Sequence, residues 1–263
     1  MSTKPISLDE AVSQVLTVEV DKWEKVGVAE GLVIYRQEKY GFPGLHEYFV
    51  QGVLKGIPPE MCHATLMDLD YRRIWDHYKP EHLRVYRESD EVVEEGSFLD
   101  AYLESKEEHE RIYWLKDLPW PLKPREYVVR RSSEIKRVHG ENAWIIAQEA
   151  VPTRGSCEDS LTQEAKYIRV QHYHQYVVIR EAPQAPGSTL VHYRYFEDPR
   201  GSIPPKVYSW AVSHGVPTWI HRFKRACTLY AQARHRPEGS KVDQGLEELR
   251  GVLDVSLTRA FTM

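Results

Sequence analysis

The sequence predicts an α+β fold, a long antiparallel sheet flanked by helices and covered by a C-terminal helix. Three observations carry this. From residue 81 to 198 the chain runs through successive strand-like segments separated by turn formers such as "HGEN" and "APQAPGS". Helical patterns lie on either side of that run. No internal repeat, low-complexity segment or long linker comes before residue 236, so residues 1–235 read as one domain and 236–263 as a tail.

The elements follow in order. Residues 7–26 open with a polar cap and an acidic first turn, then place Ala11, Val15, Leu16, Val20 and Trp23 near helical spacing, which predicts an amphipathic helix. "GLVIYRQEKY" and "LHEYFVQGVLKG" alternate at period two around "GFPG", the pattern of a hairpin. "PPEMCHATLMDLDYRRIWDHY" begins with proline and predicts one helix through Met61, Thr65, Leu66 and Leu69. The strands are then "HLRVYRE", "EGSFLDAYLESK", "RIYWLKDL", "REYVVRRSSEIKRV", "NAWIIAQEAV", "KYIRVQHYHQYVVIREA" and "STLVHYRYFEDP", read as an uninterrupted antiparallel meander. Residues 203–236 carry an amphipathic spacing through Val207, Trp210, Ala211, Ile220, Phe223, Ala226, Cys227 and Tyr230, broken at Gly215 and Pro217, where proline bends a helix. A short helix over Leu246–Leu253 and a frayed end complete the chain.

Composition narrows the function. With 263 residues, 41% hydrophobic and 28% charged, the chain is long and apolar enough to bury a sizeable core. A net charge of −4 and a pI near 6.3 exclude the basic footprint of a nucleic-acid binder. The charged runs "EYVVRRSSEIKR" and "ESKEEHER" read as solvated faces. No segment approaches the roughly 18 consecutive apolar residues of a membrane span, and "MSTKPISLDEAVSQV" lacks the apolar stretch of a secretory signal. Cys62, Cys157 and Cys227 form neither a disulfide framework nor a zinc pattern, so the expectation is a reduced, cytoplasmic protein with inert thiols.

Catalytic signatures are missing: no GxSxG elbow, no P-loop, no dinucleotide fingerprint. His172 and His174 stand at i,i+2 on one strand face without a third ligand, and read as surface histidines rather than a metal site. Trp and Tyr together number 23 against six Phe, an excess of rings with a polar handle. On strand faces, Tyr173 and Gln175 pair with Arg169 and Gln171, Trp114 with Lys116, and Tyr193 with Tyr195. Such rings suit a quaternary ammonium group by cation–π attraction, and an arginine beside them suits a phosphate. In "DLDYRRIWDHY", Arg72 and Asp76 are i,i+4 neighbours, either a solvated pair or a guanidinium carried inward with its counter-ion.

Four blocks in this order, "MDLDYRRIWDHY", "YWLKDLPWPLKPREYVVRR", "IRVQHYHQYVV" and "YFEDPRGSIPPKVYSWAVSHGVP", resemble the START-domain lipid-transfer family. The resemblance runs from about Leu32 to Leu229, roughly three quarters of the chain. It implies a helix-grip fold, in which a curved antiparallel sheet wraps a lipid tunnel and the long C-terminal helix, with Trp210, Gly215, Pro217, Ile220 and Phe223, is the lid. It implies that Arg72 meets a phospholipid phosphate with Asp76 as its counter-ion, that Gln175 bonds the same phosphate, and that Trp114, Tyr127, Tyr173 and Tyr195 surround the headgroup. Leu66 and Lys116 depart from the family's choline-binding pattern, a tyrosine and a small apolar residue respectively; Lys116 is read as joining Arg72 at the phosphate in place of the hydroxyl missing at Leu66. The expected function is non-enzymatic carriage of one glycerophospholipid, phosphatidylcholine favoured, between membranes touched transiently, with no cofactor, metal or nucleic acid. The alternative is a lipid-sensing adaptor that signals to a protein partner when loaded.

Overall fold

A computed structural model describes residues 6–76, 83–87, 110–118, 122–151, 167–201, 204 and 211–234. The first helix, α1, spans Leu8–Leu16, with the Ser7 hydroxyl accepting from the Glu10 amide at 3.2 Å. The helix predicted over 7–26 therefore ends early. Thr17, Val18 and Val20 are β-branched and favour extended backbone, and after one 3-10 turn at Val20–Lys22 the chain enters strand β1, Glu24–Ala29. That strand pairs with β2 (Leu32–Glu38) through a two-residue loop in which Glu30 and Gly31 have φ of 51° and 89°, the turn that matches strand twist. The predicted hairpin of β2 with β3 (His46–Leu54) is present.

The single helix predicted after Pro58 is two, α2 (Pro59–Met67) and α3 (Leu69–Trp75). Asp68 divides them: its backbone is extended and its carboxylate accepts from the Tyr71 amide at 2.8 Å, capping α3. These helices carry the chain from β3 to the opposite edge of the sheet, where β4 spans Leu83–Arg87.

From that edge β5 (Glu110–Lys116), β6 (Arg125–Val138) and β7 (Glu141–Ala150) return antiparallel. The segment read as one strand over 166–182 is interrupted at Val170–His172. Its first part, β8 (Ile168–Arg169), pairs in parallel with β6, while β9 (Tyr173–Glu181) continues the antiparallel path beside β7. Finally β10 (Thr189–Glu197) joins β9 to β3, so the order is β1-β2-β3-β10-β9-β7-β6-β5-β4 in one curved, open sheet rather than a simple meander. The strand "EGSFLDAYLESK", the helix Leu246–Leu253, Cys157 and Trp210 lie outside the described residues.

Period-two alternation gives the sheet two apolar faces. Ile34, Val50, Ile146, Val177, Ile179 and Val191 face one side, where α2 and the C-terminal helix α4 (Val216–Arg234) pack on them through Cys62, Leu66, Ile220 and Phe223. Phe49, Ile145, Tyr176 and Val178 face the other side, beneath Leu8, Ala11 and Val15 of α1. The predicted break at Gly215 and Pro217 takes a specific form. Ala211–Gly215 make a π turn, and Pro217 stands in the first turn of α4, where a missing N–H is tolerated.

Two expectations about polar residues are corrected. The first half of the run "EYVVRRSSEIKR" is not a solvated face, since Glu126, Arg130 and Arg131 are buried, as is Arg125 before it, while Glu134 and Arg137 in its second half are exposed as expected. Arg131 pairs with Glu110 across β5 and β6, and donates to the carbonyls of Leu66 at 3.4 Å and Met67 at 3.1 Å, which end α2. Nor is His174 a surface residue. It meets buried Glu47 at 2.7 Å, beside Lys39 at 2.9 Å and Arg194 at 2.8 Å. Burial alone would raise the Glu47 carboxyl, but hydrogen bonds from His174 and Arg194 overturn that and hold it well below the usual range. Arg194 also reaches the Gln14 carbonyl at 2.8 Å, which ties α1 to this cluster.

Candidate functional site

Beside the junction of α3 with β5, four aromatic rings meet. Trp114 on β5 stands directly across from Tyr127 on β6, ring centroids 5.3 Å apart, because the register pairs these two residues. Tyr173, the first residue of β9, lies 5.7 Å from Trp114, 5.8 Å from Tyr127 and 5.7 Å from Tyr195 on β10. Its plane makes angles of 82°, 75° and 87° with these three, so it stands like one wall at a corner. The structure thus brings together all four ring positions named from the sequence. Leu69, Ile112, Val129 and Val170 surround them with apolar contact.

The hydroxyls around these rings are organised by three residues. Gln175 Oε1 accepts from Tyr173 and from Tyr193, each at 3.1 Å, so these hydroxyls engage the oxygen end of its amide. Tyr173 shares its proton with Gln148 Oε1 at 3.3 Å, and Gln148 is paired with Gln175 across β7 and β9. Glu197 accepts from Tyr127 at 2.9 Å and from Tyr195. Burial, and next the Glu197 carboxylate, push the Tyr195 hydroxyl well above its ordinary range, so it stays a proton donor.

Arg72 joins the cluster from α3. It is 6% exposed, and its Nε lies 3.2 Å from an Asp76 carboxylate oxygen. Their side chains are 8% and 10% exposed, which favours an inward pair over a solvated one. The guanidinium carbon of Arg72 lies 5.7 Å from the Trp114 ring centroid, a cation–π contact. Arg131 is a second buried cation nearby. Burial lowers its pKa first, the Glu110 carboxylate opposes this, and the like charge of Arg72 adds to the lowering.

Lys116, expected to join Arg72 at a phosphate, lies beside a carboxylate. Its side chain is 47% exposed and its ammonium stands 3.9 Å from Glu197, a carboxylate. Leu66, the other departure, is buried in the apolar layer between α2 and α4. Along α4, Ile220 and Phe223 are buried against the sheet and α3, Gly215 ends the π turn, and Pro217 follows it.

Sequence reasoning does not name Glu197, Gln148 or Arg131 as site residues, and it names Tyr193 only as a ring beside Tyr195 on one strand face. Glu197 lies two positions after Tyr195 in "YFEDP", on the same strand face, and that spacing is the signal that would have found it. Gln148 has no such signal, since only the register places it opposite Gln175. Among the described residues no group of His, Cys, Asp or Glu is arranged to hold a metal, and no helix is long and apolar enough to cross a membrane.

Comparison with known proteins adds a lineage to this geometry. The profile of the START domain matches residues 6–233. Phosphatidylcholine transfer protein of Mus musculus is 30% identical over 208 residues, which cover 79% of this chain and 85% of that protein. The Homo sapiens protein of the same name is 30% identical over 210 residues, with 79% and 85% covered. Mitochondrial StAR-related lipid transfer protein 7 of Mus musculus is more distant, 24% identical over 213 residues that cover 81% of this chain and 50% of that protein. Among solved structures, human STARD10 has a TM-score of 0.62 at 19% identity, covering 88% of this chain and 84% of that one. At that identity the likeness shows the fold alone.

Proposed function

This chain belongs to the START family, and from that premise we propose that it carries one glycerophospholipid, phosphatidylcholine before others, and transfers it between membranes. Lipid transfer is the activity of the family, and the chain is accordingly a carrier rather than an enzyme. The choice of headgroup rests on one observation: the cluster of Trp114, Tyr127, Tyr173 and Tyr195 is touched by a cation on one ring and by a carboxylate on two others. Phosphatidylcholine is a zwitterion whose phosphate suits Arg72 and whose quaternary ammonium suits aromatic faces.

In this reading Asp76 balances Arg72 in the empty protein, and the lipid phosphate shares the guanidinium when bound. The amide nitrogen of Gln175 donates to the same phosphate. Glu197 adds a full negative charge where the rings supply only a quadrupole. Lys116 serves as the counter-ion of Glu197 at the rim rather than as a phosphate ligand. Acyl chains lie along the apolar face beneath α4, where removal from water is worth about 25 cal/mol per Å². The helix α4 is the lid, opening at the π turn when the protein touches a membrane surface.

The test is transfer of fluorescent phosphatidylcholine, phosphatidylethanolamine and phosphatidylserine between vesicles by the purified protein. Fastest transfer of the choline lipid is expected, and native mass spectrometry should find the same lipid co-purifying. Equal rates for all three would remove the headgroup assignment. Tight binding without transfer would instead favour the adaptor.

A further inference from the structure

Trp75 is the last residue of α3 and is 0% exposed. Its ring packs against Trp219 and Phe223 of α4, at centroid distances of 5.9 and 5.7 Å. The indole nitrogen is buried too, yet meets no acceptor. Nearly every buried N–H in a folded protein is paired, so an orphan of this kind calls for an explanation. A trapped water needs two to four polar partners; of the two rings against Trp75, Phe223 offers none and Trp219 only another N–H donor.

The position of the orphan along α3 suggests what it waits for. Arg72 and Trp75 are three residues apart, so they share a helix face and stand about 4.5 Å apart along the axis. On the Arg72 side lies Trp114, a member of the four-ring cluster. On the Trp75 side lie Trp219 and Phe223, stacked at 5.4 Å within the apolar layer. The order cluster, guanidinium, indole N–H, apolar layer parallels the order headgroup, phosphate, ester, acyl chain in a glycerophospholipid. The polar group between phosphate and hydrocarbon is the ester carbonyl, which accepts a hydrogen bond and has nothing to donate.

We propose that Trp75 is a specificity-determining residue whose indole N–H donates to an ester carbonyl of the bound lipid, so that the protein prefers ester-linked over ether-linked phospholipids of the same headgroup. The proposal rests on the carrier reading above. An ether oxygen is a much weaker acceptor than an ester carbonyl, so the diether analogue leaves the N–H as it is in the empty protein. One hydrogen bond is then the difference, which corresponds to roughly fivefold in affinity.

The experiment is displacement of a fluorescent phosphatidylcholine by diacyl and by dialkyl-ether phosphatidylcholine of matched chain length. Wild type should bind the diacyl lipid roughly fivefold more tightly, and Trp75→Phe should bring the ratio close to one. Taking a ratio removes any general loss of affinity from the smaller ring. A second readout needs no variant: the indole 15N–H resonance of Trp75 in the wild-type protein should move downfield with diacyl lipid and not with diether lipid. Equal affinities in wild type, an unchanged ratio in Trp75→Phe, or an unmoved resonance would each overturn the proposal. Failure of wild type to bind either lipid would overturn the carrier reading instead.

Discussion

Arg72 is a residue at which binding and stability meet, because the pair it forms with Asp76 is largely withdrawn from solvent. Replacing it with Ala leaves a largely buried carboxylate without its counter-charge, a loss approaching about 3 kcal/mol. Arg72→Ala should therefore unfold at clearly lower denaturant concentration and lose phospholipid binding; an unchanged midpoint in urea melts would show that the pair contributes little. Glu197→Gln separates charge from hydrogen bonding, since the amide oxygen still accepts from Tyr127 and Tyr195. It should weaken displacement by phosphatidylcholine several-fold, on the order of 1 kcal/mol, with little change in thermal stability. At this scale the sequence was informative where roles attach to residue type and local spacing. Arg72 with Asp76 at i,i+4, and the four ring positions, were named on those grounds and on the family resemblance. Residues whose place depends on neighbouring strands escaped it. Arg131 looked solvated because nothing local reveals that β6 lies under the end of α2 or faces Glu110. Lys116 is read as a phosphate partner from strand alternation, the family resemblance and the hydroxyl missing at Leu66, none of which reveals the carboxylate on β10 that stands 3.9 Å from its ammonium.

Elements were legible in the middle and less so at their ends. β6 matches its predicted bounds, Arg125–Val138, and β10 differs by one or two residues, because alternation over nine or more positions leaves little freedom. The misplaced boundaries share a cause: a side chain or register that competes with the periodic pattern. Asp68 caps α3 and so splits one apparent helix into two. Valines after α1 favour a strand that helical spacing had claimed. The break predicted at Gly215 and Pro217 is found in place, as a π turn over Ala211–Gly215 with an extra residue per turn just ahead of Pro217. Replacing Gly215 and Pro217 together with Ala, a strong helix former, should convert the π turn to regular helix. Vesicle-to-vesicle transfer should then slow several-fold while equilibrium binding of fluorescent phosphatidylcholine stays the same. Unchanged transfer would detach the turn from gating.

For the whole molecule, burial of imidazoles sets the response to acid. Burial first, then Arg131, lowers His63 to about 4 from 6.5, and burial with Arg180 lowers His192 likewise to about 4. A base with a depressed folded pKa takes its proton first in the unfolded chain, so stability is full above pH 6.5 and falls as pH drops towards 4. The carboxyl of Glu47, held low, adds a further loss in stronger acid. Melting temperature should fall from pH 7 to pH 5, and His63→Gln, which keeps a partner for Ser133, should flatten that fall by roughly a few degrees. The α+β class and the covering C-terminal helix were evident from the order of patterns. The strand order was not, since a meander and an open sheet whose last strand is inserted between β3 and β9 share one alternation pattern. That insertion has a consequence for how the chain is made. The edge of β3 that pairs with β10 is complete once Leu54 is translated, but its partner begins only at Thr189. At ordinary synthesis rates the wait is on the order of ten seconds, during which an apolar strand edge stands unpaired beside the ribosome. The nascent chain should therefore depend on chaperones until its last strand emerges, and a pause before β10 should increase aggregation without changing the finished protein.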